Sequence, residues 1–338
     1  GLNNAGTLTV SDSGGGGGNR FIFGSIDNAG GGIVLQTDAT IANTGGVLNN
    51  GNGTIDVGSH ILTVNGGQIV VDSGSLFTGA GALDLTGAVN LHLVSNFTLA
   101  AGGADLNLVG TVTIDGTVGE GAPTFFIDDG RTLTLDGDTV ADTVNLSVSG
   151  VLNIAGTGTT IAAATNINAP NGVFNVEPGA TVTLTGVLDN NDGVINVAAG
   201  GILILDGANI ENTGIITGEG TIQLANGAEI TGNGIIDVAG IDTVGTLNIT
   251  GGAVVFDTET SLDIDIGGGG NDVLNLDTMD LTAAGEILNL NFAPGFDPIA
   301  DGNTFQILTY TGHDTDLNDD TTLDNIFDTI QHNLGPEY

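Results

Sequence analysis

The chain has 338 residues, of which 40 are Asp or Glu and 2 are Lys or Arg, so its formal net charge is -38. Such a chain lacks the cations that neutralise nucleic-acid phosphates, and an anionic membrane surface would repel it. It has no Cys, which excludes disulfides and thiol chemistry, and no apolar run reaches the ~18 residues of a membrane-spanning helix. We therefore expect no nucleic-acid partner and no direct membrane insertion in this segment.

The hydrophobic residues indicate a thin aliphatic core. They make up 40% of the chain, yet aromatic residues contribute only 4% and Trp is absent. A wide globular interior is usually filled with bulky rings. Stacked Val, Ile, Leu and Ala are sufficient for a narrow interior.

The chain contains an internal repeat, whose earliest clear copy is NGTIDVGSHILTVNG from Asn52. Further copies begin at Asn171, Asp192, Thr213 and Asn233, at spacings of 21, 21 and 20 residues. Each copy holds short runs of alternating apolar and polar residues, the period of a β-strand, separated by Gly, Asn and Asp, which favour turns. No sustained helical period accompanies them, so we expect almost no helix.

A repeat of about 20 residues cannot bury its apolar side alone, so successive copies must stack in parallel. The sequence therefore predicts an all-β protein, a right-handed parallel β-helix (β-solenoid) with about 20 residues per rung and roughly 16 rungs. We assign residues 1–252 to the solenoid repeats. Asn190, Asn191 and Asn212 lie at predicted turns, where we expect ladders of hydrogen-bonded side chains. The regular spacing disfavours the alternative, a β-sandwich.

Residues 253–338 depart from the repeat pattern. Their predicted strands are longer, and they contain Pro residues and several of the Phe residues. We interpret this region as a C-terminal extension that caps the solenoid, because an open rung exposes unpaired backbone groups.

Calcium is the one cofactor that the sequence suggests. The segment GGGGNDVLNL, Gly267 to Leu276, matches a Ca²⁺-binding nonapeptide, but the pattern occurs once and that site needs ligands from adjacent turns. A plain glycine-rich turn is the alternative.

A second calcium candidate begins at Asp314, in DTDLNDD. Asp314, Asp316 and Asn318 alternate as in the first half of an EF-hand loop, although Asp319 replaces the Gly of position six and Asn325 the Glu of position twelve. We take these three residues as candidate metal ligands. The alternative is a solvated acidic loop, and the acidity of the whole chain fits calcium recruitment and simple solubility equally well.

Catalytic patterns are weak in the sequence. A polysaccharide lyase needs a cationic base, and only Arg20 and Arg131 are available. The Asp and Glu residues are scattered at turns, and the four His residues lack the spacing of metal ligands. We assign no catalytic residue and expect the protein not to be an enzyme.

Three segments resemble secreted bacterial β-solenoid proteins, the autotransporter passengers, filamentous-haemagglutinin-like adhesins and related surface fibres. They are GIIDVAGIDTVGTLNITGG (Gly234 to Gly252), the L-x-I-x-I…D-x-L-N-L run (Leu262 to Leu276) and GFDPIADGNTFQILTYTG (Gly295 to Gly312). The chain departs from the family where Ala239 and Gly240 replace a Pro-Gly pair. The resemblance implies secretion, display at the cell surface, and adhesion or fibre formation.

We thus expect a non-enzymatic extracellular structural or adhesive protein, a rigid acidic solenoid displayed on a microbial surface or assembled into a fibre. Its expected partners are other copies of the chain, joined head to tail or laterally, and surface glycans. The alternative is a β-helix protein that binds or degrades polysaccharide.

Overall fold

A computed structural model describes residues 1–11, 20–42, 44–117, 121–240, 243–256, 259–267, 270–280, 286–293, 305–313, 327 and 329–332. Every regular element in these ranges is a β-strand. The same ranges contain no helix that is long and apolar enough to cross a membrane. The chain divides into two compact units, Gly1–Thr165 and Asn166–Tyr338.

The first unit consists of short strands joined by turns. Its strands are β1 (Leu2–Asn3), β2 (Thr7–Val10), β3 (Arg20–Phe23), β4 (Ile26–Asp27), β5 (Gly32–Leu35), β6 (Ala39–Ala42), β7 (Val47–Asn49), β8 (Thr54–Asp56), β9 (Ile61–Val71), β10 (Leu76–Thr78), β11 (Ala82–Leu93), β12 (Phe97–Leu99), β13 (Asp105–Leu108), β14 (Thr111–Gly116), β15 (Thr124–Ile127), β16 (Thr132–Asp136), β17 (Thr139–Val140), β18 (Asn145–Val148), β19 (Val151–Ala155) and β20 (Thr157–Ile161).

The second unit repeats the same plan. The remaining strands are β21 (Ala164–Asn168), β22 (Val173–Val176), β23 (Thr181–Leu184), β24 (Leu188–Asn191), β25 (Val194–Val197), β26 (Ile202–Asp206), β27 (Ile210–Asn212), β28 (Ile215–Gly218), β29 (Thr221–Ala225), β30 (Glu229–Thr231), β31 (Ile235–Val238), β32 (Thr246–Val255), β33 (Ser261–Gly267), β34 (Gly270–Asn271), β35 (Val273–Asp280), β36 (Ile287–Phe292), β37 (Leu308–His313) and β38 (Thr329–His332).

The predicted repeats stack on one another in the second unit. Val173 pairs with Val194, Val194 with Ile215, and Ile215 with Ile235, each in a parallel ladder. These are the equivalent positions of the copies that begin at Asn171, Asp192, Thr213 and Asn233, so the predicted β-solenoid is confirmed.

The observed rung length of about 22 residues agrees with the predicted length of about 20. The predicted number of rungs was too high, since the described residues form about 12 turns instead of roughly 16. The paired residues Val173 and Val194 are 21 residues apart along the chain. The spacing is larger where Ile235 pairs with Ser261 and where Leu274 pairs with Leu308. The prediction used the shortest turns, in which the repeat is easiest to recognise, and missed the loops inserted elsewhere. The predicted boundary after Gly252 stays a prediction.

The core of each unit is built from columns of aliphatic side chains. In the second unit Val182, Leu203, Ile222 and Ile249 occupy paired positions of successive turns, and each is 0 or 1% exposed. Alternate residues of each strand point inward, as the sequence pattern requires. The hydrophobic effect therefore stabilises every turn through the turns on either side.

Aromatic side chains also form a column inside the first unit. The ring of Phe97 lies 5.4 Å from that of Phe77 and 5.4 Å from that of Phe125. All three are buried. These three Phe residues thus pack against one another where turns stack.

Buried asparagines form ladders at the turns. In the second unit Asn190 Nδ2 donates to Asn212 Oδ1 at 2.7 Å, which confirms that predicted pair, whereas Asn191 is exposed. In the first unit Asn28 accepts a hydrogen bond from Asn4 and donates one to Asn50, at 2.6 and 2.7 Å. Such bonds satisfy polar groups that the stacking buries.

Candidate functional site

The predicted calcium ligands Asp314, Asp316 and Asn318 lie outside the described residues. Their assignment stays a prediction. Among the residues that the structure describes, no group of three or more His, Cys, Asp or Glu side chains is placed to hold a metal ion.

The glycine-rich calcium candidate is described in part, and its central carboxylate is Asp272. This side chain is completely buried, and its two oxygens accept the backbone N–H groups of Gly245 and Asp265 at 2.8 and 2.7 Å. The N–H of Asp272 donates to the carbonyl of Asp265 at 2.9 Å. Asp272 thus fastens the short antiparallel pair of β33 and β34 to β32. This geometry agrees with the alternative of a structural turn.

Carboxylates from three strands and turns gather around Asp272. Asp237 pairs in register with Asp263 one turn along, and burial, together with the charges of Asp263, Asp265 and Asp272, raises the pKa of Asp237 to about 7. Burial also raises the pKa of Asp272 to about 6, although its hydrogen bonds from the backbone oppose that change. These residues form the acidic cluster of the second unit, in which the pKa values of Asp237 and Asp272 are raised.

In the first unit, the parallel ladder of one face of the solenoid is interrupted. Among the described residues β13 pairs with β11 and β16 pairs with β19, but no ladder joins β13 to β16. Ala104, which directly precedes β13, donates its N–H to the Phe77 carbonyl at 3.1 Å. The backbone N–H of Arg131 bonds to the Asp128 carbonyl in its own turn at 3.0 Å, as that of Gly103 does to Ala100 at 3.1 Å. The break therefore lies between β13 and β16.

The guanidinium of Arg131 joins the two turns at this break. Its amino groups donate to the carbonyls of Gly103 and Ala104 at 2.9 and 2.5 Å, and Asp105 Oδ1 lies 3.4 Å from Nη1. The side chain of Arg131 is 9% exposed, whereas that of Asp105 is 70% exposed. An arginine at this position can satisfy two carbonyls at once because its donors form a planar fork.

The ladder break also contains a cleft that is a candidate binding site. We define it as Asp105–Leu108 of β13 together with residues 130–134. A cleft of about 450 Å³ opens between these segments. Within the described residues, β13 pairs with β11 alone and β16 with β19 alone, so the edges that face the cleft carry no ladder.

A third polar group lies on the outer face of the first unit. His92 Nδ1 is 2.6 Å from Asp115 Oδ1, and its Nε2 is 3.1 Å from the hydroxyl of Thr117. Asn90 Nδ2 donates to the second oxygen of Asp115 at 3.0 Å. Because a carboxylate only accepts, Nδ1 carries the proton of the bond to Asp115, and Nε2 lies within hydrogen-bond distance of the Thr117 hydroxyl. Thr117 also lines a shallow pocket of about 470 Å³ beside Asn96.

Sequence reasoning did not find the ladder break or the His92 group. Asp115 is one turn from His92, and Arg131 is one turn from Ala104, at 23 and 27 residues along the chain. Neither spacing equals the repeat length seen in the clear copies. A signal existed only for Arg131, since an isolated cation in so acidic a chain calls for a specific partner.

Comparison with protein-family models, with curated proteins and with solved structures found no match for this chain. The resemblance to autotransporter passengers and filamentous-haemagglutinin-like adhesins therefore stays a prediction beyond the β-solenoid fold itself.

Proposed function

We propose that the chain is a non-enzymatic extracellular structural or adhesive element, a β-solenoid displayed on a microbial surface or assembled into a fibre. One observation carries this proposal. In the part of the chain that the structure describes, many polar side chains bond to a side chain of the neighbouring turn, as Asn107 does to Asp84 and Asn49 to Asp27, at 2.8 and 2.9 Å. Side chains used in this way build a stable repeating body. Within the described residues, a side chain engaged in this way is not free to take part in a reaction centre.

Self-association is the form of assembly that the first turn supports. Strand β2 pairs with β5, and the carbonyls of Gly6 and Val10 accept from Gly32 and Gln36, both at 2.8 Å. Since donors and acceptors alternate sides along a parallel strand, the N–H of Thr9 faces away from β5. Among the described residues β2 pairs with β5 alone, and a strand edge of this kind can pair with a further strand, such as one from a second copy of the chain.

Electron microscopy and sedimentation of the purified chain test this assembly. We expect concentration-dependent filaments or oligomers, which Thr9→Pro reduces because proline lacks the outward N–H. Thr9→Ala keeps that N–H and serves as the control. A monodisperse monomer at all concentrations, for wild type and both variants, would contradict self-association and leave adhesion to glycans as the remaining form of the proposal.

A hydrolase is the second candidate function, and the His92 group favours it. Asp115, His92 and Thr117 are joined in the order in which an acid, a base and a hydroxyl are joined in acyl-transfer enzymes. In that reaction His92 Nε2 takes the Thr117 proton as the oxygen attacks an ester carbonyl. The departing alcohol receives the proton, and water then releases the acid from Thr117.

Release of acetate from acetylated polysaccharides and hydrolysis of p-nitrophenyl acetate test the hydrolase. If the group is catalytic, His92→Gln and Thr117→Val abolish the activity and Thr117→Ser retains it. Equal rates for wild type and His92→Gln, at the level of the buffer, would exclude this second function.

A further inference from the structure

The cleft of the ladder break is lined by side chains that offer both donors and acceptors. Asp105 and Asn107 project from β13, and Thr132 and Thr134 project from β16, with Arg131 at the base between the strands. Its volume of about 450 Å³ falls within the range of about 300–1,000 Å³ that is usual for small-molecule sites. The repeating surface elsewhere lacks an arginine at such a position, since Arg20 is the only other cation of the sequence.

The charges around the cleft restrict the ligand. Arg131 is nearly buried and already faces Asp105 at 3.4 Å, so the pair is locally neutral. A chain with a net charge of -38 repels an anionic ligand at long range. A metal cation would meet the guanidinium directly. The ligand that avoids both penalties is neutral.

The hydrogen-bonding groups restrict the ligand further. The exposed carboxylate of Asp105 accepts hydrogen bonds, while the hydroxyls of Thr132 and Thr134 donate and accept. Among the described residues no ladder joins the facing edges of β13 and β16, so their backbone groups can also contact a ligand. Closely spaced groups of both kinds match a ligand that has several neighbouring hydroxyls.

We infer that the cleft between β13 and β16 binds a neutral, polyhydroxylated ligand, a segment of an uncharged oligosaccharide. In this arrangement Asp105 accepts from adjacent hydroxyls, and the side chains of Asn107 and Thr132 bond to the flanking ones. Arg131 positions Asp105 and holds the two turns at a fixed separation. The inference rests on the adhesive form of the proposed function, and it names the site and the class of glycan.

Binding of the full chain to neutral oligosaccharides of glucan, xylan, mannan and galactan tests the inference, with oligogalacturonates as the acidic comparison. Binding is measured on a printed array and then by calorimetry. We expect neutral ligands to bind and Thr132→Phe, which fills the cleft from an exposed position, to weaken binding at least about tenfold. Asn107→Ala weakens it as a second variant, without adding bulk. Thr111→Phe places the same ring at an exposed position on β14 and should leave binding unchanged.

The outcomes separate the site from the general function. Neutral binding that survives both Thr132→Phe and Asn107→Ala would overturn the cleft assignment and leave an adhesin with another site. Binding of oligogalacturonates alone would overturn the charge argument. If no oligosaccharide binds while the chain still forms filaments, the inference fails and the structural form of the proposed function stands. Circular dichroism of each variant confirms that it is folded.

Discussion

Asn28 shows how single residues hold neighbouring turns together. Its side chain is completely buried, yet its amide accepts from Asn4 and donates to Asn50. The exposed amide of Asn107 makes a bond of similar length to Asp84 at the surface. Water can replace the bond at the surface but not the one in the interior, so bonds of equal length contribute unequally to stability.

The first prediction compares these two amides. Asn28→Ala removes one buried hydrogen-bond partner from each of Asn4 and Asn50, and we expect a loss of about 2–3 kcal/mol in the free energy of unfolding. Asn107→Ala should lower it by no more than about 0.5 kcal/mol. Denaturant titration followed by circular dichroism measures both. Equal losses for the two variants would contradict a special role for the buried ladder.

The second prediction concerns Asp237, which makes stability depend on pH. An unfolded Asp titrates near 3.8, whereas the folded chain holds the proton of Asp237 up to about pH 7 because of burial and nearby carboxylates. Folding therefore takes up a proton between these values, and the folded state gains stability as the pH falls from about 7 towards 4. Asp237→Asn resembles the protonated form, so it should raise the melting temperature at pH 8 and change it little at pH 5.

Differential scanning fluorimetry at the two pH values measures this effect. Asp129→Asn removes one charge from an exposed position and is the matched control. The same gain in melting temperature at both pH values, or an equal gain in the control, would contradict the prediction. Either result would show that the gain comes from the lower net charge and not from the protonation of Asp237.

At the scale of the element, the turns depend on glycines that lie against the turn below. A Cβ added to Gly53 would overlap the carbonyl of Asn28 and the side chain of Asn50. A Cβ added to Gly6, in the first turn, would have open space around it. The close approach at Gly53 is what allows the asparagine ladder to bond from turn to turn.

The third prediction uses this contrast. Gly53→Ala should lower the free energy of unfolding by about 2 kcal/mol, because the turn must move away from Asn28 and stretch the ladder. Gly6→Ala should be neutral or slightly stabilising, since it removes freedom from the unfolded chain. Thermal unfolding of the two variants checks the prediction, and a neutral Gly53→Ala would show that the turn tolerates a shift.

The same elements show what the sequence could predict. The ladder through Val173, Val194 and Ile215 followed from copies of nearly constant length, and so did the Asn190–Asn212 pair. The ladder break and the His92 group were not predicted, because the residues that they join are 27 and 23 residues apart, and neither spacing equals that of the clear copies. A shift of one residue in a strand reverses which side chains face outward. Where the turn length varies, the sequence alone therefore does not show which residue of the next turn a side chain contacts.

At the scale of the whole molecule, the dominant property is a net charge of -38. Some of the carboxylates accept a hydrogen bond from an amide of a neighbouring turn, as Asp189 Oδ2 does from Asn166 Nδ2 at 2.9 Å. The remaining carboxylates repel one another, and repulsion of this kind destabilises a compact state. Screening by salt should therefore raise the stability of the chain, and a bound cation should raise it further.

The last prediction separates calcium binding from screening. We expect millimolar CaCl₂ to raise the melting temperature more than NaCl of equal ionic strength, and a chelator to reverse the difference, because binding to the folded state alone adds stability. The double variant Asp314→Asn/Asp316→Asn should remove the calcium-specific part of the rise. Asp129→Asn/Asp142→Asn lowers the charge equally at exposed positions and should retain it. Identical rises in CaCl₂ and NaCl would instead favour acidity that serves solubility, and equal losses in the two double variants would place the ion elsewhere on the acidic surface.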